Sequence, residues 1–299
     1  MGEQFGLSEK SAGSISPQAY LSSLEKEPHD KKWEQDKAHA MRFVEKKQFK
    51  KAIPYLKKHR NAQAANKDFN YLLGLCLANT DQGVLALDFF QQALDIHRDG
   101  LNSGPDAEAF LTMLLFQRAL CLTNHGNVSA AITDCKNLLL IDPQNPHALN
   151  LAGTLYAQIE KNSLAAKHFI KALGVSPNNI DYLSNLGGTL RSSKKTKAAL
   201  GALKLALQQD ANHLGARLNF ALTLADEEKV DEALKMLSDL MSEHPKDARI
   251  PFHIANLQRQ MGLYEESIKS YEKTITLDPR QKFNLSNMAF SLEKLGKID

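Results

Sequence analysis

The chain lacks most of the features by which a sequence announces its chemistry. Of its 299 residues only 7% are aromatic, one is Trp and three are Cys (Cys76, Cys121, Cys135). The cysteines form no CxxC pair and no even disulfide framework, which suits a reducing compartment and places the protein in the cytoplasm as an expectation. No apolar run approaches the ~20 residues that span a bilayer. The segment Met1 to Ser14 has no basic stretch leading into an apolar one, so it does not read as a secretory signal. Gly6 stands where a myristoylation signal wants Ser or Thr. Charge of one sign is lacking too: 37 Lys plus Arg against 34 Asp plus Glu leave +3 overall. Hydrophobic residues make up 43%, ample for a core, which excludes global disorder.

Catalytic constellations are equally scarce. Leu186-Gly187-Gly188-Thr189 lacks the spacing and the following Lys of a phosphate-binding loop. The ten His are scattered, and His147 and His168 have no HExxH or Cys/His ligand spacing around them. The three thiols have no fixed His or Asp partner in view, so they read as buried and structural. No cofactor, no metal site and no enzyme activity are expected from these residues.

What is present is a period. Pro143, Pro177, Pro245 and Pro279 are separated by 34 residues or by twice that, with Ala211 in the vacant slot. The period starts units at Thr112, Pro146, Ile180, Leu214, Ala248 and Lys282. Two earlier units, from Trp33 and Lys67, are displaced by an insertion over residues 101–111 that carries the loop signal Asn102-Ser103-Gly104-Pro105. Position eight of each unit is small (Ala40, Gly74, Ala119, Gly153, Gly187, Ala221, Ala255, Ala289), as is position twenty (Ala52 through Ser267). Position 24 is mostly bulky: Leu56, Phe90, Phe169, Leu203, Leu237, Tyr271, with Cys135 in the same slot. Small residues let two helices approach while the bulky ones fill the space beside them. A polar or Gly break near position fifteen (Gly126, Glu160, Lys194, Glu228, Gly262) separates helix A from helix B, and the proline slot ends helix B.

The pattern resembles the tetratricopeptide repeat family from Trp33 to the C-terminus, and the unit Ala248 to Pro279 matches it best, through Ala255, Gly262, Tyr264, Ser267, Tyr271 and Pro279. The resemblance implies an all-α fold: a right-handed superhelical solenoid of helix-turn-helix repeats over residues 33–299, behind a flexible tail at 1–32 with a short helical hint at Tyr20, Leu21 and Leu24. It also implies that helix A lines a concave groove. Position six there is Asn185, Asn219 and Asn287, with Gln117 and His253 in two further units. A side-chain amide donates and accepts at once, so a row of them suits a peptide backbone. The row is similar to the asparagine ladder in the array of O-linked N-acetylglucosamine transferase, though Leu151, Leu72 and Ala38 interrupt it. Arg249 and Arg259, near Asn256, are positioned to pair with acidic groups or a terminal carboxylate. The family's chaperone-tail clamp wants Lys at position five, where this chain has Phe252, so that clamp is rejected.

The expected function is therefore a non-catalytic scaffold or adaptor that holds an extended peptide or protein segment in the groove. The alternative is the substrate-recruiting front of a larger glycosyltransferase or sulfotransferase. The last unit stops after one helix bearing Phe283, Leu285, Met288, Phe290, Leu292, Leu295 and Ile298, which suggests a longer protein or self-association through that face. Pro54 and His59 make the first repeat irregular, as a cap is. Lys46 to Lys67 hold eight basic groups and no acid. With only Phe49 and Tyr55 among them, nucleic acid or an anionic surface is a weaker expectation than a solvated face.

Overall fold

The computed structural model describes residues 31–100, 104–279 and 283–297; the short helical hint near Tyr20 lies outside them. The described residues contain fifteen α-helices and no strand. They form two compact units, one ending at Lys161 and the other beginning at Asn162. The first holds α1 (Lys31–Glu45), α2 (Phe49–Lys57), α3 (Lys67–Ala78), α4 (Gly83–Asp99), α5 (Pro105–Asn124), α6 (Val128–Ile141) and α7 (Pro146–Gln158). The second holds α8 (Asn162–Val175), α9 (Ile180–Ser192), α10 (Thr196–Gln209), α11 (Leu214–Asp226), α12 (Val230–Glu243), α13 (Arg249–Gln260), α14 (Tyr264–Leu277) and α15 (Phe283–Lys294). Within each unit every helix packs on the next, and the A helices of successive repeats also touch: α3 with α5 and α5 with α7, then α9 with α11, α11 with α13 and α13 with α15.

Side-chain size explains the hairpins. Ala40, Ala119, Ala221 and Ala255 on the A helices, and Ala52, Ala86, Ala131, Ala165, Ala199 and Ala233 on the B helices, are completely buried. The position-24 residues Leu56, Phe90, Leu203, Leu237 and Tyr271 are completely buried too, so these five hairpins close small against large, while Cys135 takes the slot in the repeat from Thr112. Ala289, in the last and unpaired A helix, is only half-buried. Position fifteen takes the left-handed conformation: φ is +75° at Gly126 and +78° at Gly262, and also +59° at Glu160, +56° at Lys194 and +64° at Glu228. One such residue ends helix A and lets the next amide bond back, as Lys195 N–H does to the Leu190 carbonyl at 2.9 Å.

Helix starts are capped at one repeating slot, the residue before position one. Asn66 accepts from two backbone amides, Asn145 from Ala148 and Asn179 from Tyr182. In the next repeat His213 does the same through Nδ1, accepting from the Ala216 amide at 3.1 Å while its Nε2 faces Asp181.

Two features differ from the expected pattern. Residues 105–111 of the insertion are helical and belong to α5, because Pro105 opens that helix with Asp106 and Glu108 in its first turn. His59 does not obstruct the first repeat. It is buried, lies 2.9 Å from the Asp36 carboxylate and packs on Trp33 at 5.3 Å between ring centres. The hydrogen bond from His59 holds the Asp36 carboxyl below the usual carboxylate range.

Candidate functional site

The A-helix face of the second unit carries most of the polar residues singled out by sequence. Asn219, on α11, reaches back to the preceding repeat: its Nδ2 donates to the Ser184 carbonyl at 3.2 Å and approaches the Ser184 hydroxyl at 3.4 Å. It fits because Gly188 has no Cβ, which would sit 3.1 Å from that amide nitrogen. Asn287 on α15 repeats the device with a different acceptor, donating to Asn256 Oδ1 on α13 at 3.2 Å. These amides thus link adjacent A helices, with their N–H groups already engaged inside the array. Asn185 is half-buried, and its carbonyl accepts from the Thr189 hydroxyl. Gln117 belongs to the first unit, where it is half-buried on α5.

The arginines differ in what they hold. Arg249 Nε and Nη2 donate to Asp247 at 2.6 to 3.2 Å, so one edge of its fork is occupied. Arg191 Nη1 lies 3.3 Å from Asp226, an exposed contact between successive repeats. Arg259 pairs with no carboxylate among the described residues; its guanidinium lies 5.2 Å from the Phe290 ring centre. The Nε of Arg259 is buried without a hydrogen-bond partner.

Sequence reasoning did not find the group that organises this corner. Tyr271 was legible only as a bulky core residue, yet its hydroxyl donates to Asn256 Oδ1 at 2.7 Å. Burial keeps that phenol protonated by raising its pKa, against the opposing pull of Arg259. The signal was there: Tyr271 is the one position-24 residue with a hydroxyl. Phe252, at the position that excludes the Lys clamp, leans on Tyr271 at 6.5 Å and on His253 at 5.3 Å.

His253 is half-buried on α13. Burial, with Arg191 and Arg249 nearby, pushes its imidazole down to about 4 from an ordinary value near 6.5. A folded-state pKa below the unfolded one means that the unfolded chain takes up this proton first as pH falls. Stability is therefore fully present above pH 6.5 and lost on the way to 4, by on the order of 2 kcal/mol after allowing for partial exposure. Urea denaturation at pH 7.5 and 4.5 checks this: His253→Gln should lose less stability between the two than the native chain, and equal losses would refute the assignment.

Elsewhere the residues are quieter. Cys76, Cys121 and Cys135 are buried, and burial pushes their thiols up to about 12, 11 and 12, with Asp134 adding to the last. No group of three or more His, Cys, Asp or Glu able to hold a metal ion occurs among the described residues, and none of their helices is long and apolar enough to cross a membrane. In the basic stretch Lys50 faces Asp81 and Lys58 faces Asp36, each at 3.7 Å, while Arg60 covers Phe89 and Lys67 covers Phe110. On α15 Leu285 is exposed, but Phe290 is flanked by two cations, Arg259 and Lys294.

Comparison with known proteins bears on the whole arrangement. Family models described as tetratricopeptide repeat match residues 190–250 and 248–281. A curated relative, the Hsp70-Hsp90 organizing protein of Triticum aestivum, is 26% identical over 201 residues, which cover 64% of this chain and 32% of that protein. The chain thus spans about a third of that relative's length. Among solved structures, a tetratricopeptide repeat protein from Parabacteroides merdae superposes with a TM-score of 0.74 at 17% identity, covering 88% of this chain and 99% of its own. A thermophilic TPR protein of Thermus thermophilus gives a TM-score of 0.56 at 19% identity over 61% of this chain and 99% of its own. The matches place tetratricopeptide repeats at residues 190–281, and the chain shares the helix-hairpin fold of solved tetratricopeptide repeat proteins.

Proposed function

We propose that the chain is a non-catalytic, cytoplasmic scaffold or adaptor whose A-helix face holds an extended segment of a protein partner. The observation that supports this most is the character of that face in the second unit. Polar side chains from successive A helices are fixed in place, Asn219 by Ser184, Asn256 by Tyr271 and Asn287, and Arg259 over the Phe290 ring, so they meet a ligand with little further ordering. Such pre-organised donors and acceptors, beside the half-buried Phe252, are what a peptide backbone and a few apolar side chains require. The buried, protonated thiols and the scattered histidines lend no support to nucleophilic or metal chemistry on this face. That the wheat relative is named for organizing two chaperones agrees with an adaptor role at the level of the family.

The test is site-directed photo-crosslinking. A benzophenone at Ala225, on the A-helix face, is compared with one at Leu205, exposed on a B helix. Adducts in lysate are expected from Ala225 only, and an excess of random dodecapeptides should compete them away. Equal adducts from both sites, or adducts that peptides do not displace, would remove the groove from the account.

A further inference from the structure

The B helices carry the outer surface of the second unit, because its A helices touch one another along the stack. Two successive B helices, α8 and α10, hold four lysines (Lys167, Lys171, Lys197, Lys204) and no acid. The next two differ: α12 has Asp231, Glu232, Asp239 and Glu243, and α14 has Glu265, Glu266 and Glu272. Asp210, just beyond α10, is engaged in its own turn, where it accepts from the Asn212 amide at 2.8 Å.

On α8 and α10 the lysines share an exposed stripe with apolar side chains. Each helix buries its opposite side, through Ala165, Phe169 and Ala172 on α8 and Ala199, Leu203 and Ala206 on α10. At helical spacing on the outer side stand Lys167, Ile170 and Lys171, then Lys204 and Leu205. Ile170 is 58% exposed and Leu205 52%, so the fold leaves both largely uncovered. The same stripes include Gly174 and Gly201, where an added Cβ would meet nothing within 4 Å. Glycine weakens a helix, and no close contact inside the fold requires it at these two positions. What it does supply is a low surface between the lysines, open to close approach from outside.

A protein hot spot gathers its apolar groups into one well-packed patch. Here Ile170 stands next to Lys171 and Leu205 next to Lys204, so apolar and cationic groups are mixed along both helices. That mixture, free of acids, matches a lipid interface. Aliphatic side chains enter the boundary between headgroups and acyl chains, while lysine stems lie along it and carry their ammonium groups to the phosphates.

We infer that the outer face of α8 and α10 docks on a bilayer surface rich in anionic phospholipid. The contact is peripheral and does not use the A-helix face, so it is independent of the groove reading above.

Flotation of the full chain with vesicles tests it. The chain is expected to float with mixed phosphatidylserine and phosphatidylcholine vesicles at low salt, and to stay behind with phosphatidylcholine alone. Lys167→Gln with Lys204→Gln should lower the partition about 25-fold, roughly fivefold for each lysine near an anionic surface. Ile170→Ser with Leu205→Ser keeps every charge and should lower it about tenfold or more. Lys235→Gln with Lys269→Gln, exposed on α12 and α14, should leave it unchanged. Helical circular dichroism of all three variants should match the native chain, since every substituted side chain is exposed. Failure to float with the anionic vesicles would overturn the proposal, as would equal losses from the α8–α10 and α12–α14 lysine pairs. Loss caused only by Lys46→Gln with Lys51→Gln would move the contact to the basic first repeat. Flotation untouched by the serine pair would reduce it to charge alone and remove the docking of apolar groups. Protein adducts from the Leu205 benzophenone in membrane-free lysate would put a protein on this face in place of a bilayer.

Discussion

Replacing Asp134 with Ala is expected to destabilise the first unit by about 3–5 kcal/mol, the usual cost of breaking a buried ion pair from one side. The Asp134 side chain is 2% exposed and that of Arg118 is 15% exposed. The guanidinium grips the carboxylate at two points, Nε to Oδ2 at 2.7 Å and Nη2 to Oδ1 at 2.6 Å, and Nη1 reaches the Gln91 side-chain oxygen of the preceding repeat. Without Asp134 the cation stays where the hairpin holds it, desolvated and with one remaining neutral acceptor. Substituting both partners, as Arg118→Met with Asp134→Leu, should recover most of the loss, because two apolar groups of similar size need no solvation at all. The single Trp of the sequence makes the measurement specific: Trp33 is buried in the first unit, 5.5 Å from Phe69, so its fluorescence in urea follows that unit. A loss under about 1 kcal/mol for Asp134→Ala would mean that water reaches the pair.

The same pair shows where reading the sequence stopped. Arg118 occupies position seven of its repeat, where other units place Leu73, Ala152, Leu186 or Ile254. A charge in an apolar slot was visible, but its partner sits 16 residues away on the facing helix and no periodicity connects the two. The hairpins were legible for the opposite reason. In a stacked array each repeat contacts only its neighbours, so the constraint on size recurs at a fixed spacing and survives in the letters themselves. Caps recur as well, yet their chemistry changes from Asn145 and Asn179 to His213, which hides the slot from a search by residue type. The insertion was open to a better reading: Gly104-Pro105 followed by Asp106 and Glu108 is a helix start as much as a loop.

On the polar face, sequence identified the residue types and missed their partners. Asn219 and Asn287 were placed as a ladder facing a ligand, since an amide at one repeating position has the right spacing for a peptide. The structure adds that Asn219 Nδ2 meets the Ser184 carbonyl and Asn287 Nδ2 meets Asn256. Whether an amide reaches outward or back along the array depends on a rotamer and on a neighbour without a Cβ, here Gly188. Neither is written into a 34-residue period.

The second large effect is a coupling, and it tests the small-to-large rule directly. Phe90 on α4 is completely buried and leans on Tyr71, which in turn packs edge-on against Phe110. Phe90→Ala should cost about 3–5 kcal/mol, through lost contacts and the cavity that the ring leaves. Opposite it, a Cβ added at Gly74 would lie 2.9 Å from two atoms of the Phe90 ring and 3.4 Å from the Ala86 carbonyl oxygen. Gly74→Ala alone should therefore cost about 1–3 kcal/mol by overpacking, in spite of the helix propensity that Ala brings. Once Phe90 has become Ala the obstruction is gone, and the added methyl fills part of the space that the ring vacated. In that background Gly74→Ala should turn neutral, or stabilising by up to about 1 kcal/mol. The four proteins of the cycle, unfolded in urea and followed by Trp33 and by helical circular dichroism, give the coupling as the departure from additivity. Simple addition of the two losses would show that the glycine is needed for something other than room. A reversal of sign would establish that position eight is small because position 24 is large.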